Sequence, residues 1–156
     1  MKNSPLQLVR YLVTDIACTS NPKFNPEKEM VGGMEQFAVE AKASPLETSK
    51  DVPGHPWSVE MVVSQKIQEG QNFPYEFRIA MVGIFGCNNS AAVDEKETRF
   101  VRVNGSSMLY GIAREQIRAL TAASPWGAIL LPTMSFYDNP EHPKKEEAAA
   151  KTEPGQ

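Results

Sequence analysis

Met108–Phe136 reads MLYGIAREQIRALTAASPWGAILLPTMSF. Leu109, Ile112, Ala113, Gln116, Ile117 and Leu120 recur at three- and four-residue steps, which places them on one side of a helix. Pro125 pushes Ser124 out of the helical region and ends the element. Beyond it stand Trp126, Ile129, Leu130, Leu131, Met134 and Phe136, interrupted by Gly127 and Pro132. Connecting segments usually run over the surface. An apolar one packs on its own core, meets another subunit or holds apolar guests.

Working outward, the strands come first. Trp57, Val59, Met61, Val63 and Ile67 are interleaved with Ser58, Glu60, Ser64, Lys66 and Gln68. Tyr75, Phe77, Ile79, Met81 and Phe85 then stand among Glu76, Arg78 and Ala80. Two period-two runs joined by a short segment bearing Gly70 and Asn72 predict an antiparallel hairpin with one covered and one wet face. Leu6–Thr19, rich in Val, Ile and Thr, reads as a strand, and so does Met34–Lys42. Between them Asn21–Gly33 reads as a long crossing loop, and Ser44–Pro56 as a second proline-punctuated connection.

Gly86–Ser107 reads as irregular. Asp94, Glu95 and Glu97 fall in a solvated charged stretch, Phe100–Val103 in a short extended piece, and Asn104-Gly105-Ser106-Ser107 in a turn that supplies a serine N-cap. The expected architecture is α+β: a four-stranded antiparallel sheet covered on one face by a long helix and an apolar loop. No topology rule fixes the strand order. One domain over 1–138 is followed by a charged, low-complexity tail over 139–156, expected to be disordered.

Composition narrows the function. With 156 residues the chain can bury roughly 70% of its unfolded surface, enough for one real core. The formal charge of −3 and the absence of a basic stripe disfavour nucleic acid. No run approaches the ~20 apolar residues of a membrane helix, and no secretory leader is recognised, so a cytoplasmic setting with two reduced cysteines is expected. His55 and His142 have no local cluster of partners for a metal, and no cofactor is expected. Cys87 with His55 as base is the sharpest catalytic reading, but nothing pairs them in sequence. Phosphate-loop glycine patterns are missing. The expectation is a binding protein and not an enzyme.

Two features suggest binding. Gly111, Ala119 and Ala122, with Glu115 and Arg118, lie off the large-residue stripe and form a candidate oligomer face. Phe24, Met30, Trp126, Met134, Phe136 and Tyr137 are aromatic or Met residues in irregular segments, suited to a permissive apolar groove or to ordinary core filling.

Leu109-Tyr110-Gly111-Ile112-Ala113-Arg114-Glu115, followed by Ile117, resembles the helix start of the SecB family of protein-export chaperones. Leu130-Leu131-Pro132-Thr133-Met134-Ser135-Phe136 is similar to the end of that family's helix-connecting loop, Gly83-Ile84-Phe85 to its fourth strand, and Tyr11–Thr19 to its first. The resemblance covers roughly Leu6 to Phe136. It implies an ATP-independent chaperone of unfolded or precursor polypeptides, a homotetramer built as a dimer of dimers, and delivery to the translocation motor ATPase. It implies a peptide groove near Phe24, Phe37, Trp57, Trp126, Leu130 and Met134. It departs where the family carries acids that face the motor: Asp15 keeps the first, but Thr19 and Arg78 occupy the others. The family's second long helix is broken by Pro140 and Pro143. Chaperoning is thus better supported than export. The alternative is a relative dedicated to one partner, such as an antitoxin.

Overall fold

The computed structural model describes residues 2–30, 37–89 and 91–137. Residues 139–156, with His142, and the expected strand start at Met34 lie outside them. Among the described residues four strands precede one helix: β1 (Leu6–Ser20), β2 (Ala38–Pro45), β3 (His55–Gln65), β4 (Tyr75–Cys87) and α1 (Glu95–Ala122). The sheet is α+β in its setting and antiparallel throughout, in the order β1-β4-β3-β2.

The β3–β4 hairpin forms as the alternation requires, with Met61 opposite Met81 and Trp57 opposite Phe85. Trp57, Val59, Met61, Val63, Phe77, Ile79, Met81 and Phe85 turn to the helix and are buried with Val101, Leu109, Ala113 and Ile117. A period of two on the strands meets a period of 3.6 on the helix, and the apolar sides of both close into one core. The Asn21 crossing loop carries the chain from β1 at one edge to β2 at the other. That is why β1 pairs with the distant β4 and not with its neighbour in sequence.

The helix is longer than its sequence suggested. It starts at Glu95, so the expected irregular stretch is confined to the described residues between β4 and Asp94, and no serine cap before Met108 is observed. Asp94 is the N-cap, its Oδ1 accepting from the Glu97 backbone N–H at 2.7 Å. Asn104-Gly105-Ser106-Ser107, a turn by composition, is helical. The Asn104 amide donates to the Phe100 carbonyl at 2.8 Å, and the Ser107 hydroxyl to the Val103 carbonyl at 2.7 Å. The side chains of Asn104 and Ser107 are thus satisfied along the helix instead of competing with it, while the buried Ser106 hydroxyl has no partner among the described residues. Gly105 is fixed by packing, since a Cβ there would stand 2.9 Å from Val59 Cγ2. At the other end Leu120, placed on the buried stripe by its spacing, is 40% exposed. The residue of this turn that is buried is Thr121, whose hydroxyl accepts from the Ile129 N–H at 3.0 Å.

Candidate functional site

Past α1 the chain turns back along its own helix. Tyr110 Oη donates to the Pro132 carbonyl at 2.7 Å, and Arg114 Nε donates to the Leu131 carbonyl at 2.8 Å. Phe136 meets the Tyr110 ring edge-on at 5.8 Å, and Phe37, just before β2, lies parallel to that ring at 6.4 Å. From Ile129 to Leu131 the side chains of the loop alternate between core and solvent. Leu131 is buried, and Ile129 and Phe136 are half-buried against the core, while Leu130 and Met134 are 55% and 40% exposed. The backbone is held on the helix by three polar contacts and on β4 by a fourth, so this exposure is imposed by geometry.

The loop's beginning is tied to the sheet. Tyr75, buried at the first position of β4, accepts at its hydroxyl from the Trp126 backbone N–H at 3.0 Å and donates to the Gly127 carbonyl at 2.8 Å. Burial pushes the Tyr75 phenol above its ordinary range, so it remains a neutral donor. The Trp126 ring stands edge-on to Phe24 at 5.3 Å, and its Nε1 donates to the Asn21 carbonyl at 3.2 Å. Asn21 is anchored in turn: its backbone N–H donates to the Pro74 carbonyl and its amide to the Phe73 carbonyl. Asn72 fastens the rest of the crossing loop, accepting from Asn25 N–H and donating to the carbonyls of Asn25, Lys28 and Glu29.

The structure thus brings Phe24 and Trp126 together and leaves Leu130 and Met134 outward on the same loop. Phe37 joins the other end of that loop through Tyr110. Trp57 is a correction: it was expected near the groove and is fully buried in the core. Its Nε1 donates to Glu97 Oε1 at 2.9 Å, and His55 Nδ1 lies 2.8 Å from the same oxygen. Glu97 is a second correction, since it is wholly buried and not part of a solvated loop. A buried carboxylate needs such donors to be tolerated. The D-x-x-E spacing of Asp94 and Glu97 was the signal that could have located both the cap and this cluster.

β3–β4 pairing sets His55 opposite Cys87, but His55 Nδ1 faces Glu97 and the thiol is poorly suited to act as a nucleophile. Burial, and then the Glu97 charge, push the thiol above its ordinary range, which disfavours the nucleophilic thiolate. Among the described residues no cluster of three His, Cys, Asp or Glu could hold a metal ion, and no helix is long and apolar enough to cross a membrane.

Two other surfaces matter. Gly111, Glu115, Arg118, Ala119 and Ala122 all lie exposed on the outer side of α1, beside Met108 and Leu120. Glu115 and Arg118 pair at 2.6 Å, which lowers the carboxyl below its usual range. Edge strand β1 leaves Val9, Tyr11, Leu12, Val13 and Ile16 38–56% exposed. On the sheet face away from the helix a shallow concavity of about 440 Å³ is lined in part by Glu40, Lys66, Glu76 and Arg78, so its chemistry is of mixed charge and unlike the apolar loop. Arg78 pairs with Asp15 there, so the acid retained on β1 is neutralised by the residue that replaces another.

No protein-family model matches the chain, and no curated protein matches it in sequence. Solved structures do. The fold is similar to that of the Mycobacterium tuberculosis SecB-like chaperone Rv1957, in complex with a ChAD peptide from the Rv1956 HigA1 antitoxin, at a TM-score of 0.57 and 12% identity over 83% of this chain and 90% of that one. A Streptococcus agalactiae protein of unknown function aligns at a TM-score of 0.44 and 14% identity, over 81% of this chain and 96% of that one. The chain therefore has a SecB-like fold.

Proposed function

We propose, from the SecB-like fold, that the chain is an ATP-independent chaperone that holds non-native polypeptide segments on its post-helix loop. The observation that carries this reading is the outward display of Leu130 and Met134, on the same loop as Trp126, from a backbone pinned to the helix. Apolar side chains displayed this way are available to an apolar guest at little ordering cost. Phe24 and Phe37 flank the two ends of the loop. The chemistry is binding and not turnover.

Oligomerisation belongs to the same proposal. The exposed stripe of Gly111, Glu115, Arg118, Ala119 and Ala122 and the apolar edge strand β1 support a homo-oligomer, a dimer of dimers if both are used. A cytoplasmic setting fits two free cysteines, of which Cys87 is buried. Delivery to a translocation motor is the less supported branch, because Asp15 is bound to Arg78. A chaperone dedicated to one partner is the second reading, favoured by the neighbour bound to an antitoxin peptide.

The test is suppression of aggregation of a chemically denatured client without nucleotide. The wild-type chain is expected to protect, and a Leu130→Asp, Met134→Asp double variant to lose most of that protection while remaining folded. Equal protection by the folded variant would remove the loop from the binding surface. A dedicated chaperone is expected to protect its one partner at stoichiometric ratio and unrelated clients poorly.

A further inference from the structure

We infer that Trp126 is a displaceable plug, held between the crossing loop and the post-helix loop until an apolar side chain of the client takes its place on Phe24. The inference rests on the chaperone reading and adds a closed and an open state to its site.

Three observations carry it. First, the indole is engaged inside the chain, with Nε1 on the Asn21 carbonyl and the ring edge-on to Phe24. Leu130 and Met134, by contrast, extend outward from the same loop. Second, among the described residues every hydrogen bond and ring contact joining the two loops involves Trp126. Third, the backbones on both sides of this bridge are anchored, so what can leave is the indole side chain by rotation about its own bonds. Asn21 and Asn25 are tied to the β4 entry at Phe73, Pro74 and Asn72, so Phe24 stands on an anchored platform. The Trp126 N–H and the Gly127 carbonyl are both bonded to the Tyr75 hydroxyl. The indole bond is long, at 3.2 Å, and the residue is 37% exposed, so water can compete for it.

A fixed wall and a plug predict opposite signs. A wall residue gains cover when the client arrives, and weakening its internal contacts lowers affinity. A plug must leave, so binding is penalised by the fraction of molecules that are closed. Loosening the plug then tightens binding.

The probe is a reduced, carboxymethylated polypeptide that stays unfolded, lacks tryptophan and carries a fluorescein label. Anisotropy gives Kd independently of tryptophan emission. Of the two tryptophans, Trp57 is fully buried, so a client-induced change in emission reports on Trp126 in the unaltered protein. The expected result is a red shift on binding as the indole moves into water. Trp126→Phe keeps a ring on Phe24 and removes the Asn21 bond, and is expected to lower Kd by about three- to tenfold, the factor a single neutral hydrogen bond carries. Trp126→Ala is expected to associate at least as fast as Trp126→Phe. A blue shift on binding, or a Trp126→Phe variant that binds equally or more weakly, overturns the plug. Absence of any anisotropy change with the wild-type chain overturns the chaperone reading and the plug with it.

Discussion

Trp57 and Trp126 occupy opposite kinds of place. Both donate an indole N–H, one to a buried carboxylate at 2.9 Å and the other to a backbone carbonyl at 3.2 Å. Trp57 has no exposed surface, and Trp126 keeps 37%. The difference lies in what each region has behind it. At the Trp57 end the first turn of α1 brings Glu97 over the entry to β3, and His55 seals the pair. At the Trp126 end a loop backbone lies on the helix and leaves Leu130 and Met134 directed away from it. One end of the molecule converts polar groups into rigidity. The other leaves apolar surface in water, the surface on which the proposed binding rests.

The largest expected effect breaks the closed end. Glu97→Ala leaves the Trp57 N–H without its acceptor inside the core and removes the carboxylate from His55. An orphaned buried donor together with the loss of the hydrogen-bond partner of His55 should cost about 3 kcal/mol. For a chain of this length that is on the order of 10 °C in the unfolding midpoint. Calorimetry or denaturant unfolding measures it, and a loss below about 1 kcal/mol would mean the cluster is incidental to the core.

A smaller effect sharpens the boundary between the regions. Gly105→Ala gains about 1 kcal/mol of helix propensity. It also sets a Cβ 2.9 Å from Val59 Cγ2, and β-branched Val59, fully buried, has little freedom to yield. Overpacking of this kind typically costs about 1–3 kcal/mol, so the net outcome is expected to be destabilising by about 1 kcal/mol. Adding Val59→Ala should relieve the clash in a double-mutant cycle. A Gly105→Ala variant more stable than wild type would show that helix and sheet are not in close contact there.

The same contrast decides what was legible in the sequence. Alternation in Trp57–Val63 and Tyr75–Phe85 was enough for the hairpin because both strands have a fully covered side. The Leu109–Ile117 periodicity was enough for the second half of α1. Its first half was hidden because Asn104, Gly105 and Ser107 are poor helix formers. The burial of Gly105 beneath Val59 and Phe85 overrides that preference, and this is a tertiary fact. Strand order was likewise hidden, since the β1–β4 pairing joins residues as far apart as Leu6 and Cys87. For the site, an apolar loop could be recognised, and so could Phe24, Trp126, Leu130 and Met134 as its company. Which of two tryptophans faced outward could not, because the answer depends on where Glu97 lands once α1 is extended by more than three turns.

The smallest expected effect falls on the open end, and its smallness is the point. Leu130→Ser removes a large apolar side chain that is 55% exposed and projects away from the core. Were Leu130 a core residue, truncation would cost about 2–5 kcal/mol. As a displayed residue it should change stability by no more than about 0.5 kcal/mol, the range of surface substitutions. Leu131→Ser, one position on, is the internal control: Leu131 is 1% exposed, and burying a hydroxyl there while opening a cavity should cost several-fold more. Paired unfolding curves for the two variants measure the alternation directly. If both substitutions were equally costly, the loop would be part of the core along its whole length, and the outward face on which binding depends would not exist.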